Sequence, residues 1–511
     1  MKSFHAPLYE KLEHHANTNP ASFHVPGHHN GKSLQFFLQG KDQLKDITDR
    51  FNPIMEIDLT EISSTDDLHH PEGPIKEAQR LAAKCFGSDD TYFLVGGSTS
   101  GNLALLLTVC KPGETIIVQR NVHKSIINGL KLAGAKAVFL TPQIDESSGL
   151  ATIPSLEQVC DALLLYPEAK AVFLTNPNYY GISIKLDHYV EAVHRIGIPL
   201  LVDEAHGAHY GLHPELPESA LAAGADAVVQ STHKTLPALT MGAMLHVQGN
   251  RLDTEELRQS LAMIQSSSPS FPIMASLDIS RAMVQALGFE MFQPALDAVH
   301  SFKRWVNDEN MIISVMRWGE ASTVTGLRQL DPLRVLLYDQ SGQLSGFELL
   351  KELEQYGCWA EMADSRYVVL VMGVHTNDSE IEKLKVAVVS IHNKYKNNYN
   401  IVDSHQKNSK LTVTTISLND KIAIGAPVSF SRRNIDDSEI VIRKLRECEG
   451  LHSAQMIVPY PPGIPLLYPG EKLTTEIIDQ IENLASAGAK FQGVEDITLT
   501  TIKVFLNGKK E

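Results

Sequence analysis

Apolar positions along the chain gather into short runs separated by longer amphipathic stretches. The runs 91–95, 114–118, 137–140, 171–174, 198–202 and 225–229 are four or five residues long. That is too short for helices, and their bounding turn residues predict strands. Helical spacing predicts helices over 7–15, 75–85, 273–286 and from near 289 to 308, the last bridging to a smaller domain. Strands alternating with helices place the chain in the α/β class, with a mainly parallel, doubly wound sheet. Each run reaches polar residues at its carboxyl end, where open α/β sheets form their sites.

Further on, residues 333–373 read strand, helix, strand, strand, the pattern of a small α+β domain. A polar stretch at 393–410 predicts a linker. Five prolines between Val458 and Glu471 predict a rigid loop without regular helix or sheet. The expected division is 1–54 (N-terminal helix and irregular arm), 55–300 (large domain), 301–392 (small α+β domain), 393–410 (linker) and 411–511 (C-terminal domain).

Composition adds exclusions. With 511 residues, 43% apolar and 21% charged, the chain has material for two or three globular domains. A formal net charge of −15 argues against nucleic acid or an anionic membrane surface as main partner, and is compatible with a cationic substrate. Its five cysteines form no CxxC pair, which points to reduced thiols and not to a disulfide frame or zinc site. Neither a signal-peptide h-region nor an apolar run of ~20 residues is present, so a cytoplasmic location is expected. His28 and His29 are adjacent with no further ligand nearby, and no metal is expected.

The chemistry concentrates where two apolar runs end. One run stops at Ser231-Thr232-His233-Lys234, and a lysine desolvated there would hold a neutral amine able to condense with an aldehyde. Another runs into Asp203-Glu204-Ala205-His206, and a buried carboxylate needs a cationic partner. Upstream, the 91–95 strand leads through Gly96-Gly97-Ser98-Thr99-Ser100-Gly101-Asn102 into a helix. That turn aims backbone N–H groups and a positive dipole end at a phosphate, with Asn102 expected as a cap.

Together these segments resemble the ornithine/lysine/arginine decarboxylase class I family, whose Asp-x-Ala-His and Ser-x-His-Lys signatures are both intact. The resemblance spans nearly the whole chain, including Tyr-Pro-Pro-Gly-Ile-Pro at 460–465. It matches the short form, because the phosphate turn is reached by residue 96. It implies fold type I, the aspartate-aminotransferase-like fold of pyridoxal 5'-phosphate enzymes, and decarboxylation of a basic L-amino acid. Arginine, giving agmatine for polyamine synthesis, is preferred over lysine or ornithine. An aminotransferase or lyase on the same fold, or a non-catalytic cofactor-binding protein, are the competing readings. By resemblance, Lys234 holds the cofactor, Asp203 keeps its ring nitrogen protonated, and His123 and Ala205 flank the ring. Ser98, Thr99, Ser100, Ser231 and His233 anchor the phosphate, while Lys234 or a histidine such as His206 returns the proton to Cα.

Asn176 is a further cofactor contact, in a turn where Asn178 replaces the family's usual threonine. His29 likewise replaces a lysine. Glu61, Asp66, Asp67, Ser270 and Glu471 are the candidates for meeting substrate. A homodimer with active sites at the subunit interface is implied in the same way.

Overall fold

The computed structural model describes residues 4–41, 45–145, 148–309, 311–316, 328–396, 424–430, 440–460, 465–486 and 489–506. The chain divides into two compact units, Met1–Val109 with Gly197–Met291, and Cys110–Ile196 with Phe292–Glu511.

In the first unit four strands lie in the order Asp90–Leu94, Ala243–Val247, Ala227–Gln230, Leu200–Asp203. The last pair is parallel, with Asp203 opposite Val229. Ala243–Val247 is antiparallel to both of its neighbours, so the sheet is mixed at this edge. The reason is local. Between Gln230 and Ala243 the only helix has four residues, too little for the crossover that a parallel return requires.

The helices Pro7–Asn17, Pro74–Phe86 and Phe271–Leu287 bury Leu8, Leu12, Ile75, Met274 and Leu277 in one cluster with Phe93 of the first strand. Proline sits at the start of each helix, where its missing N–H costs nothing. Gly87, at φ +84°, ends the second in a left-handed cap. The arm before residue 54 is less irregular than expected, holding helices at Lys32–Leu38 and Lys45–Glu56. Pro53 inside the latter hides it from a helical reading.

In the second unit Val172–Thr175, Thr115–Gln119 and Lys136–Leu140 are parallel neighbours, and Val428–Ser429 adds an antiparallel edge. A separate antiparallel sheet orders Ile313–Val315, Arg334–Asp339, Val368–Val371 and Met362–Ala363, following the strand–helix–strand–strand pattern with the helix at Gly346–Gln355. The helix expected from 289 begins at Gln293, because Gly288 ends the preceding helix and Pro294 starts the next. Helix Asp378–Tyr395 extends into the expected linker, whose residues 397–410 lie outside those described.

Towards the C-terminus, Ile440–Lys444 pairs with Thr501–Phe505, and helix Thr475–Ser486 covers a core of Leu445, Ile457, Leu467, Ile478, Phe491 and Val504. The proline-rich stretch is not free of sheet, since Val458–Tyr460 pairs with Lys490–Gln492. Proline is tolerated in a two-stranded edge position such as Pro459. Residues 461–464 of that stretch lie outside those described.

One buried ion pair fixes the N-terminal helix. Its N-cap, Ala6, supplies no side-chain acceptor, and the Asp278 carboxylate accepts the Leu8 N–H at 2.9 Å instead. Arg281 pairs with Asp278 and donates to the His5 carbonyl at 2.7 Å. Removing one member strands the other in the core. Asp278→Ala should therefore cost ~3–5 kcal/mol in urea unfolding, and a loss below ~1 kcal/mol would contradict this role.

Candidate active site

Strand ends bring the two signature segments together within the first unit. Asp203 closes its strand at 2% exposure; Oδ2 accepts the Asn102 side-chain N–H at 2.9 Å and Oδ1 the Ala205 amide at 3.1 Å. Asn102 is thus not the expected cap. Helix Gly97–Val109 has already begun, and one turn on from Ser98 it presents Asn102 to the carboxylate. Gly101 permits the close approach, since a Cβ there would stand 2.8 Å from Leu94 Cδ1 and 3.1 Å from Val229 Cγ1.

After the neighbouring strand, Ser231 precedes the short helix Thr232–Thr235. Lys234 Nζ lies 3.0 Å from His206 Nε2, so the last residue of one signature touches the last of the other. His233 donates through Nδ1 to the Gly242 carbonyl at 2.9 Å, which leaves Nε2 to face a ligand. Gly97 N–H bonds the Met241 carbonyl at 2.8 Å, so the 241–242 turn ties the glycine–serine turn to the lysine segment. Gly242 must be small there, because a Cβ would meet the Leu239 carbonyl at 2.9 Å.

Ser98, Thr99 and Ser100 occupy the first turn of their helix, where backbone N–H groups have no intrahelical acceptor. The Ser100 hydroxyl donates back to Gly97 O at 2.8 Å, so this residue offers its amide more than its side chain.

The acidic segment has an internal division of labour. Asp66 accepts the backbone N–H groups of Asp67, Glu72, Gly73 and Ile75, which organises the start of helix Pro74–Phe86. Asp67 accepts the His69 amide at 2.7 Å. Glu61 takes the Thr60 hydroxyl on Oε2, while its Oε1 is buried with no donor among the described residues. His69 reaches the Ser266 carbonyl at 2.9 Å, bringing this segment to the turn that ends at Ser270. His28 contacts Asp58 at 3.2 Å.

The second unit holds the remaining predicted residues. His123 caps helix Lys124–Ala133, with Nδ1 accepting the Ser125 amide at 3.2 Å. Asn176 is engaged by the backbone, bonding both N–H and C=O of Ile184, and Asn178 bonds Tyr180, Ile182 and Ala151 likewise. Glu471 makes a bidentate pair with Arg120 at 2.6 Å for each bond and accepts the Tyr468 amide, an arrangement that pins structure. Arg120, its partner, was not signalled by any motif.

Residues 6–420 match the major domain of the Orn/Lys/Arg decarboxylase family, and residues 427–502 match its C-terminal domain. The chain belongs to that family. It is 38% identical to YaaO of Bacillus subtilis strain 168 over 99% of both chains. It is 32% identical to an arginine decarboxylase of the same organism, over 100% of this chain and 99% of that one. Lysine decarboxylase A from Pseudomonas aeruginosa shares the fold at TM-score 0.79 and 20% identity, covering 98% of this chain and 80% of that one. The protein is accordingly a fold type I, pyridoxal-phosphate-dependent decarboxylase.

The residues present fit the cofactor of this family. Asp203 is buried with two neutral donors and no cation among the described residues, and a protonated ring nitrogen is the cation it lacks. Ser231 Oγ is buried without a hydrogen-bond partner among the described residues, as a hydroxyl reserved for phosphate would be.

Sequence reasoning also passed over Glu204, which is fully buried between Asp203 and Ala205. Burial pushes its carboxyl up to about 7, against hydrogen bonds from Ala220, Gln230 and Ser219 that pull it down. Between its ordinary 4.5 and about 7 the folded chain holds a proton that the unfolded chain has lost. Stability therefore falls as pH rises through that window and levels above it. Glu204→Gln should remove about 3 kcal/mol of that fall, read as the wild-type-minus-variant difference in unfolding free energy across the window. Parallel pH profiles for the two proteins would contradict the assignment.

Proposed function

We propose that the protein decarboxylates L-arginine to agmatine and carbon dioxide, a step toward polyamines. Supporting the substrate choice, an arginine decarboxylase is 32% identical over the full chain, whereas the lysine decarboxylase structure is 20% identical. In the acidic segment, Glu61 Oε1, buried with no donor among the described residues, is the carboxylate oxygen best suited to a guanidinium, because Asp66 is taken up by backbone amides. Asp67 and Ser270 remain further candidates for the substrate-facing set, with His69 reaching the Ser266 carbonyl between their segments.

Bound, the cofactor supplies an electron-accepting ring that takes up the electron pair freed when carbon dioxide leaves. With the cofactor bound, Lys234 Nζ would be the amine that holds its aldehyde carbon. Asp203, buried with its two donors, would hold the ring nitrogen's proton. Ala205 leaves room at one ring face, and His123 is assigned to the other on the family resemblance. The amides of Ser98 to Ser100, the hydroxyls of Ser98, Thr99 and Ser231, and His233 hold the phosphate. Asn176 is kept only as an outer contact, given its backbone bonds. His206, 3.0 Å from Lys234, passes or holds the proton that returns to Cα.

The same proposal includes a homodimer whose sites lie at the subunit interface. Its support on this chain is the exposed apolar set Phe23, Val25, Phe36, Phe37, Phe51 and Ile54, concentrated in the N-terminal arm. A cytoplasmic location is part of it too, with all five cysteines as free thiols. Among the described residues no helix is long and apolar enough to cross a membrane.

The observation that carries the proposal is the Asp203–Asn102 and Lys234–His206 geometry at adjacent strand ends. Its test is amine and carbon dioxide release from arginine, lysine and ornithine, separately, with pyridoxal phosphate added. Agmatine should appear fastest, and Lys234→Ala should reduce it to background while preserving the fold. Keto-acid formation, or silence with all three substrates despite bound cofactor, would remove the decarboxylase reading for this chain.

A further inference from the structure

Behind the signature residues lies a buried polar chain that crosses the whole sheet of the first unit. It begins at Glu204, whose carboxylate accepts Ser219 Oγ at 2.8 Å, the Ala220 amide at 2.8 Å and Gln230 Nε2 at 2.7 Å. Gln230 Oε1 meets His246 Nε2 at 3.1 Å, His246 Nδ1 meets Thr91 Oγ1 at 2.8 Å, and Thr91 meets Ser88 Oγ at 3.0 Å. Glu204, Gln230, His246 and Thr91 come from four successive strands or their ends.

The direction of this chain follows from chemistry. Above about pH 7 the Glu204 carboxylate is ionised and only accepts, so Gln230 then turns its amide N–H toward Glu204 and its carbonyl oxygen toward His246. Burial keeps His246 neutral, so it carries one ring proton, on Nε2, and accepts from the Thr91 hydroxyl on Nδ1. Every donor from Ser88 inward therefore points to one carboxylate, which has no cationic partner among the described residues.

The two ends of that convergence carry the site. Glu204 follows Asp203 directly, and its own amide bonds the Val229 carbonyl at 2.9 Å. Gln230 precedes Ser231 directly, and the Ser231 carbonyl accepts the Lys234 amide at 3.1 Å. We propose that Glu204 is the positioning residue that sets Asp203 against Ser231 and Lys234, by drawing Gln230 and the 219–220 turn onto one carboxylate. The proposal rests on the reading of Asp203 and Lys234 as cofactor anchors. A glutamate would be retained here because a single isosteric amide cannot accept from all three donors. With glutamine at 204, its N–H₂ faces that of Gln230, and relief requires reversing both the Gln230 amide and the His246 tautomer.

The test uses the full chain with pyridoxal phosphate and compares wild type, Glu204→Gln, and the double variant Glu204→Gln/Gln230→Glu. The double variant moves the charge to residue 230, which accepts from the side-chain N–H₂ introduced at 204 and from His246 Nε2, while the Ser219 hydroxyl turns to accept from that same N–H₂. Far-ultraviolet circular dichroism reports the fold, and visible-region dichroism of the bound cofactor reports its seating. For Glu204→Gln, kcat should drop about tenfold with KM within about twofold, and cofactor dichroism should weaken. The double variant should recover kcat to within about threefold of wild type, together with the dichroism. Nitrogen NMR of wild type should show His246 protonated on Nε2.

Unchanged kcat and dichroism in Glu204→Gln, or a double variant no better than the single, would overturn the proposal. If the single variant fails to fold, the double variant decides alone: near-wild-type dichroism and kcat support the proposal, and their loss overturns it. The two readings separate cleanly. A wild type that binds cofactor but releases no amine, with dichroism still lost in Glu204→Gln, removes the reaction and keeps the positioning role. An active wild type with an indifferent Glu204→Gln removes the positioning role alone.

Discussion

A carboxylate at the end of a buried strand must meet a positive charge or surrender its own. Asp203 is in that position, with two neutral hydrogen bonds and no protein cation among the described residues. In the proposed site a protonated ring nitrogen would supply that charge, and other features of the first unit are arranged around this carboxylate. Gly101 lets the Gly97–Val109 helix approach closely enough for Asn102 to reach the carboxylate. The parallel pairing of Leu200–Asp203 with Ala227–Gln230 puts Lys234 within one short turn of the same edge. Met241 and Gly242 then tie the glycine–serine turn to the lysine segment.

Underneath, the sheet is braced by polar contacts where apolar packing would be the simpler choice. A row of neutral donors ending on Glu204 costs stability at neutral pH, because burial resists its ionisation. Such a cost is understandable where strand ends must hold fixed spacing, since hydrogen bonds specify direction and apolar packing does not. The second unit uses the same device nearer its surface. Arg120 and Glu471 join the C-terminal segment to the end of the Thr115–Gln119 strand, with Tyr468 stacked on Phe139.

Much of this was legible in the sequence. Short apolar runs located the strands, and two signature tetrads marked Asp203, which is buried at its strand end, and His206 and Lys234, which meet. What stayed hidden depended on partners distant in sequence. Asn102 looked like a cap because a glycine–serine turn usually precedes a helix, whereas the helix starts five residues earlier. Glu471 and Asp66 stood as substrate candidates because nothing local marks Arg120 or a run of backbone amides as their partners. The antiparallel strand Ala243–Val247 was missed since strand periodicity carries no direction. Glu204 escaped notice because a motif is read for its reactive members, and its own neighbours, Gln230 and Ser219, are spread over the next twenty-six residues.

The central claim is that Lys234 is the residue that holds the cofactor. Borohydride reduction of the chain loaded with pyridoxal phosphate, followed by peptide mass mapping, tests it most directly. The account predicts a single pyridoxyl modification, on the peptide containing Ser231 to Lys234 and placed at Lys234 by fragmentation. Stoichiometric label on another lysine such as Lys124, or none at Lys234 when cofactor is bound, would contradict it.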